Sequence, residues 1–337
     1  MKRGMGCAAL VLLAVFAACS RREGPAPAAA RYSVADFYRN VDLFGNSFSF
    51  DAKRLLVSSN RSGIFNAYEI PVSGGEPSQL TSSTTDSVFA RSYFPRDDRI
   101  IYSSDKGGNE LSHVFVRNPD GTIKDLTPGE KLNAGFFGWS HDDDSFFVQS
   151  NERDPRFFDL YEYKTDGYAR ERIYKNVDGL EPSAVSRDKR YIALTKPRAT
   201  NDADIYLLDR KTGKSVNITP HQGNILNSPQ DFSPDGTKLL YTSDEGREFK
   251  SLRTYDIASG DRRTLLEPPW DVDGAGYSRS GRYLVASITE DAASVTRIFD
   301  AATLQEFQPQ GMPKGLVRSM RISRDDSTIS LYASDGS

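Results

Sequence analysis

The chain has 337 residues, 38% hydrophobic and 11% aromatic, enough for a sizeable core and without a low-complexity tract that would argue for disorder. Its formal charge is −3 with both signs interspersed, which argues against the basic stripe that a nucleic-acid partner demands. Its two cysteines, Cys7 and Cys19, both precede residue 20, so the rest of the chain has no disulfide to draw on.

Lys2 and Arg3 precede an apolar segment from Cys7 to Cys19, followed by Ser20-Arg21-Arg22-Glu23 and GPAPAAA. A basic start, about a dozen apolar residues and small residues at the end make a secretory signal, too short for a membrane span. Val15-Phe16-Ala17-Ala18-Cys19 resembles a bacterial lipobox, although Phe16 stands where Leu is usual. On that reading residues 1–18 are a signal peptide, Cys19 is lipidated, and the mature charge moves from −3 to −5. The alternative is ordinary cleavage after Ala28-Ala29-Ala30, with a leader of residues 1–30.

Residues 19–45 read as a linker and lead-in. Ser33 with Asp36 three residues on matches a capping box and predicts a short helix over Val34 to Arg39; an irregular lead-in is the other reading.

From residue 46 one unit recurs. Its best copy lies at 229–268, where the turn Phe232-Ser233-Pro234-Asp235-Gly236 leads into Leu239-Leu240-Tyr241-Thr242. The fourth turn residues fall at 51, 96, 142, 188, 235, 280 and 325, intervals of 45 to 47 residues. Segments of four to six residues rich in β-branched and aromatic side chains, four per unit, exclude a helical array and predict β-propeller blades. Glycines at 75, 121, 167, 213 and 260 supply the positive φ of a tight hairpin, whereas the sixth copy has Leu304 and predicts a looser turn. The expected fold is all-β: a propeller of four-stranded blades over residues 46–337, seven repeats with the seventh incomplete. The chain ends at Ser334-Asp335-Gly336-Ser337, the loop that in earlier copies leads to a third strand, which reads as a fragment cut in mid-blade.

Catalytic chemistry is sparse. Gly276-Tyr277-Ser278-Arg279-Ser280 comes nearest to a nucleophile elbow but lacks the final glycine, and Ser278 is a turn residue of the repeat, as are Ser233 and Asp235. The three histidines, His113, His141 and His221, have no second His or Cys at ligand spacing, which argues against zinc. The run His141-Asp142-Asp143-Asp144 could hold a cation, but it fills a turn that favours acids anyway. No glycine-rich loop supports a nucleotide site. No catalytic, cofactor-binding or metal residue is therefore expected, and the charges Arg153, Asp154 and Arg156 read as solvated loop charge.

The Phe-Ser-Pro-Asp-Gly turn with its trailing strand resembles the repeat of periplasmic Tol-system propellers and of prolyl-oligopeptidase-family serine peptidases. The lead-in from Ser33 to Asn40 and the segment from Asn151 to Tyr161 are similar to the acylaminoacyl-peptidase and dipeptidyl-peptidase-like branch. The resemblance implies a propeller that caps an α/β-hydrolase domain and filters short peptides by size, with that catalytic domain absent from this chain, which alone should not hydrolyse peptides. Its partners would be that hydrolase domain and short peptides, with no cofactor and a place in the periplasm or cell envelope, held to the membrane only through a lipid anchor. The alternative is a stand-alone envelope propeller that binds a protein or glycan, as Tol-system proteins do.

Overall fold

The computed structural model describes residues 32–312 and 316–334; Cys19 and the leader lie outside them. The described residues fall into two units, one up to residue 40 and one from residue 41. In the first, Val34–Phe37 is helical, and Asp36 accepts the Ser33 backbone N–H at 2.7 Å, as the capping pattern predicts.

The second unit is a β-propeller. Among the described residues six sheets have four strands each, over residues 43–79, 88–125, 134–174, 181–217, 227–266 and 271–307. Every sheet is an antiparallel meander of consecutive strands, because the short connections leave each strand no neighbour but the next. The seventh repeat gives a two-stranded sheet, Leu316–Ile322 with Ile329–Ser334. No described sheet combines strands from the two ends of the unit. Side chains bridge that seam: Asn46 donates to the Ser319 carbonyl at 3.0 Å, and the Tyr332 hydroxyl donates to the Gly45 carbonyl.

A Ser-x-Asp turn holds the first hairpin in five of the seven repeats; the second has Phe94-Pro95-Arg96 there and the sixth Ser278-Arg279-Ser280. Ser233 Oγ donates to Asp235 at 2.6 Å and accepts the Lys238 N–H at 2.9 Å, while the Ser233 N–H reaches the Lys238 carbonyl. Ser49, Ser140, Ser186 and Ser323 repeat the serine-to-aspartate bond, so the motif is legible because each of these copies satisfies the same groups.

Aromatic side chains fill the wedges between blades. Phe94, Trp139, Phe146 and Tyr163 pack between the second and third, with Trp139 Nε1 donating to Ser92 Oγ at 2.8 Å. Such burial, at about 25 cal/mol per Å² of apolar surface, holds a domain without disulfides together. The expected loosening at Leu304 does not occur. Its φ is +57°, and its N–H closes on the Asp300 carbonyl at 2.9 Å, as those of Gly213 and Gly260 close on Asp209 and Asp256. The flanking pairs Ile298–Phe307 and Phe299–Glu306 and the packing of Leu304 against the sixth-blade core impose the left-handed turn on a side chain that disfavours it.

Candidate functional site

The first strand of each blade, beginning with Leu43–Phe48, Val88–Tyr93 and Ala134–Trp139, lies at the ring's centre. A cavity of about 680 Å³ is walled there by residues of these strands together with Arg279, Arg321 and Arg324. A one-residue bulge at Arg91 separates the pairs of Ala90 and Ser92 and turns the Arg91 side chain into this space. At the opposite end from the Ser-x-Asp turns, Phe44, Phe65 and Phe89 form a cluster with ring centroids 5.1 to 5.9 Å apart.

The middle residues of the turns gather at the other mouth. Arg279 and Arg324, from the sixth blade and the two-stranded sheet, both reach Asp143 of the third blade. Arg279 also donates to the Ser140 carbonyl at 2.9 Å, and Arg187 donates to the Ser278 carbonyl at 3.3 Å. Burial lowers the pKa of Arg279 and of Arg187, and the site is crowded with cations. His141 is also lowered, first by burial and then by Arg187 and Arg279 beside it.

The acidic run at 141–144 is thus occupied by the protein's own cations. Lys189 holds Asp142 at 2.7 Å, Arg279 and Arg324 hold Asp143, and Arg96 holds Asp144 at 2.6 Å. Burial opposes charge on Asp142, but Lys189 and the Ser140 hydroxyl outweigh it and draw its pKa to about 2. Among the described residues no group of three or more His, Cys, Asp or Glu side chains could hold a metal.

The remaining candidates scatter. Ser278 Oγ faces Ser280 Oγ at 3.1 Å and accepts the Tyr283 N–H. His113 pairs with Asp125 at 2.8 Å on a different blade. His221 is buried between the Thr219 carbonyl at 2.8 Å and Asp202 at 2.9 Å. Arg153 makes two bonds to the buried Asp159, so it is a built-in tie, whereas Arg156 and Asp154 pair at the loop surface. The structure brings no serine, aspartate and histidine together from these positions.

The arginine-bridged mouth escaped the sequence reading. Its signal was a basic residue in the middle of the turn at Arg187, Arg279 and Arg324, visible only once the turns are known to converge.

The chain is 29% identical over 276 residues to dipeptidyl aminopeptidase BIII of Pseudoxanthomonas mexicana, which covers 77% of this chain and 40% of that protein. The chain therefore spans well under two thirds of that relative's length. Among solved structures, prolyl oligopeptidase B from Galerina marginata superposes with a TM-score of 0.62 at 13% identity, over 87% of this chain and 46% of that one. An oligogalacturonate lyase superposes with a TM-score of 0.64 at 16% identity, over 86% of each chain. No family model matches the sequence. At those identities the two structures speak for the fold.

Proposed function

We propose that this chain, a propeller domain of the prolyl oligopeptidase family, is the cap and size filter of an exported serine peptidase. The observation that carries this reading is the match to dipeptidyl aminopeptidase BIII combined with a channel bridged at one mouth by Arg279, Arg324 and Asp143. A channel closed in this way blocks folded protein and leaves room for a short peptide. The chemistry would reside in an α/β-hydrolase domain following the two-stranded sheet, and that sheet would be the start of an incomplete seventh blade. Export rests on the leader, with Cys19 as the lipid anchor and the periplasm or cell envelope as the compartment.

The test is to extend the reading frame downstream and assay the full product on peptides of graded length. A serine hydrolase that releases dipeptides from short peptides and spares long ones supports the reading. A downstream sequence with no Ser, Asp and His set overturns it. A stand-alone binding propeller would then take its place; the oligogalacturonate lyase structure, covered over 86% of its length, has a propeller as nearly its whole chain.

A further inference from the structure

Charge in the central cavity is not balanced. No acid among the described residues lines it, and acids of the adjoining turns and strands are already engaged: Asp143 takes Arg279 and Arg324, and Asp231 accepts the Tyr277 N–H at 2.9 Å and the Phe232 N–H at 2.8 Å. Two of its arginines are not. Arg91 donates Nε to Ser103 Oγ at 3.1 Å and has no carboxylate partner among the described residues. Arg321 stands four residues before Asp325, where the fifth repeat has Asp231 four before Asp235, and it too has no carboxylate partner among the described residues. Protein crowds Arg91 closely enough that burial lowers its pKa, while solvent still reaches the side chain. An arginine held in such a space retains unspent donors in a planar fork that fits a carboxylate.

The rest of the wall narrows the ligand. Phe44, Phe136, Phe137 and Trp139 line the same cavity, so apolar groups and anions are accommodated side by side. A volume of about 680 Å³ lies in the range of small-ligand sites and suits a few residues of extended chain. We infer that the central cavity binds short acidic peptides, with Arg91 and Arg321 receiving their carboxylates and the aromatic wall taking an apolar side chain. The carboxylate can belong to a side chain or to the peptide's C-terminus; both present the same acceptor. This inference deepens the peptidase reading by naming the substrate class that the filter favours.

The test is calorimetric and needs no hydrolysis. The 337-residue chain is titrated with acetylated Ala-Glu-Glu-Phe, with its Gln-Gln counterpart, and with each in free-acid and amidated form. The expected result is at least tenfold tighter binding of the Glu peptide than of the Gln peptide. That preference collapses to less than threefold in Arg91→Gln/Arg321→Gln and survives in Arg91→Lys/Arg321→Lys, which keeps the charges. Loss of affinity on amidation assigns the C-terminal carboxylate; affinity unchanged by amidation assigns the side chains. Equal binding of Glu and Gln peptides that amidation also leaves unchanged overturns the inference. So does a preference that persists in the double Gln variant with an unchanged melting temperature, or binding of an oligogalacturonate with none of the acidic peptide. If acidic peptides bind while the downstream frame encodes no hydrolase, the site stands and the peptidase reading alone falls.

Discussion

Arg279 of the sixth blade donates to Asp143 of the third, so an ion pair between residues 136 positions apart in sequence bridges the mouth of the ring. Arg324 joins the same carboxylate from a position 181 residues away. One acid therefore ties three repeats that share no strand, and its φ of +63° turns it toward them.

Asp143→Asn removes the charge and keeps the shape. It leaves two arginines facing each other in a half-enclosed space, at a cost of about 1–3 kcal/mol, below that of a fully buried pair because solvent reaches the mouth. Urea unfolding followed by tryptophan fluorescence, from Trp139 and Trp270 together, should show the loss. Retained stability would mean that the bridge contributes nothing.

His221 gives a pH signature. A carbonyl and a carboxylate both accept, so the geometry at its two ring nitrogens calls for two donors, the imidazolium. Burial works against that charge, but the Thr219 carbonyl, Asp202 and Asp204 outweigh it and raise the pKa above the ordinary 6.5. The folded state holds the proton more tightly than the unfolded one. The stabilisation is therefore complete below 6.5 and is lost as pH rises through the raised value. The stability difference between the chain and His221→Gln should shrink as pH is raised across this window; a constant difference contradicts the charged state.

Ser233→Ala tests whether the turn serine is structural. It deletes the bond to Asp235 and the acceptor for the Lys238 N–H, both in a nearly buried turn, and should cost about 1–2 kcal/mol by thermal unfolding. A fluorophosphonate probe should leave the chain unlabelled, since neither Ser233 nor Ser278 has a histidine partner among the described residues. Labelling of either serine would disprove a purely structural role.

Gly213→Ala isolates the backbone cost of the hairpin turn. A Cβ there meets nothing within 4 Å, so the φ of +70° alone sets the penalty, about 1–2 kcal/mol. A neutral outcome in chemical denaturation would show that the turn relaxes around the side chain.

How far the sequence carried these conclusions depended on distance along the chain. The Ser-x-Asp turns and their trailing strands were legible because each motif satisfies its own hydrogen bonds within a few residues, and the spacing of 45 to 47 residues repeated the unit. The capping of Val34 by Ser33 and Asp36 was local in the same sense. The Asp143 network was not legible, since its members come from three separate turns and only ring closure makes them neighbours. Leu304 misled for the opposite reason: local preference argued for a looser turn, and the pairing of the flanking strands overrode it.

The seam between the first and last repeats has one more consequence. Because Asn46–Ser319 and Tyr332–Gly45 bridge it with side-chain bonds while every ladder among the described residues stays within its own repeat, the ring is a bracelet with a clasp. Parting the clasp leaves all the ladders intact, so the aperture can widen at that one joint at the cost of a few polar contacts and the local packing. The Arg279–Asp143 and Arg324–Asp143 ties run from the sixth and seventh repeats to the third, so the repeat on one side of the clasp is also braced across the mouth.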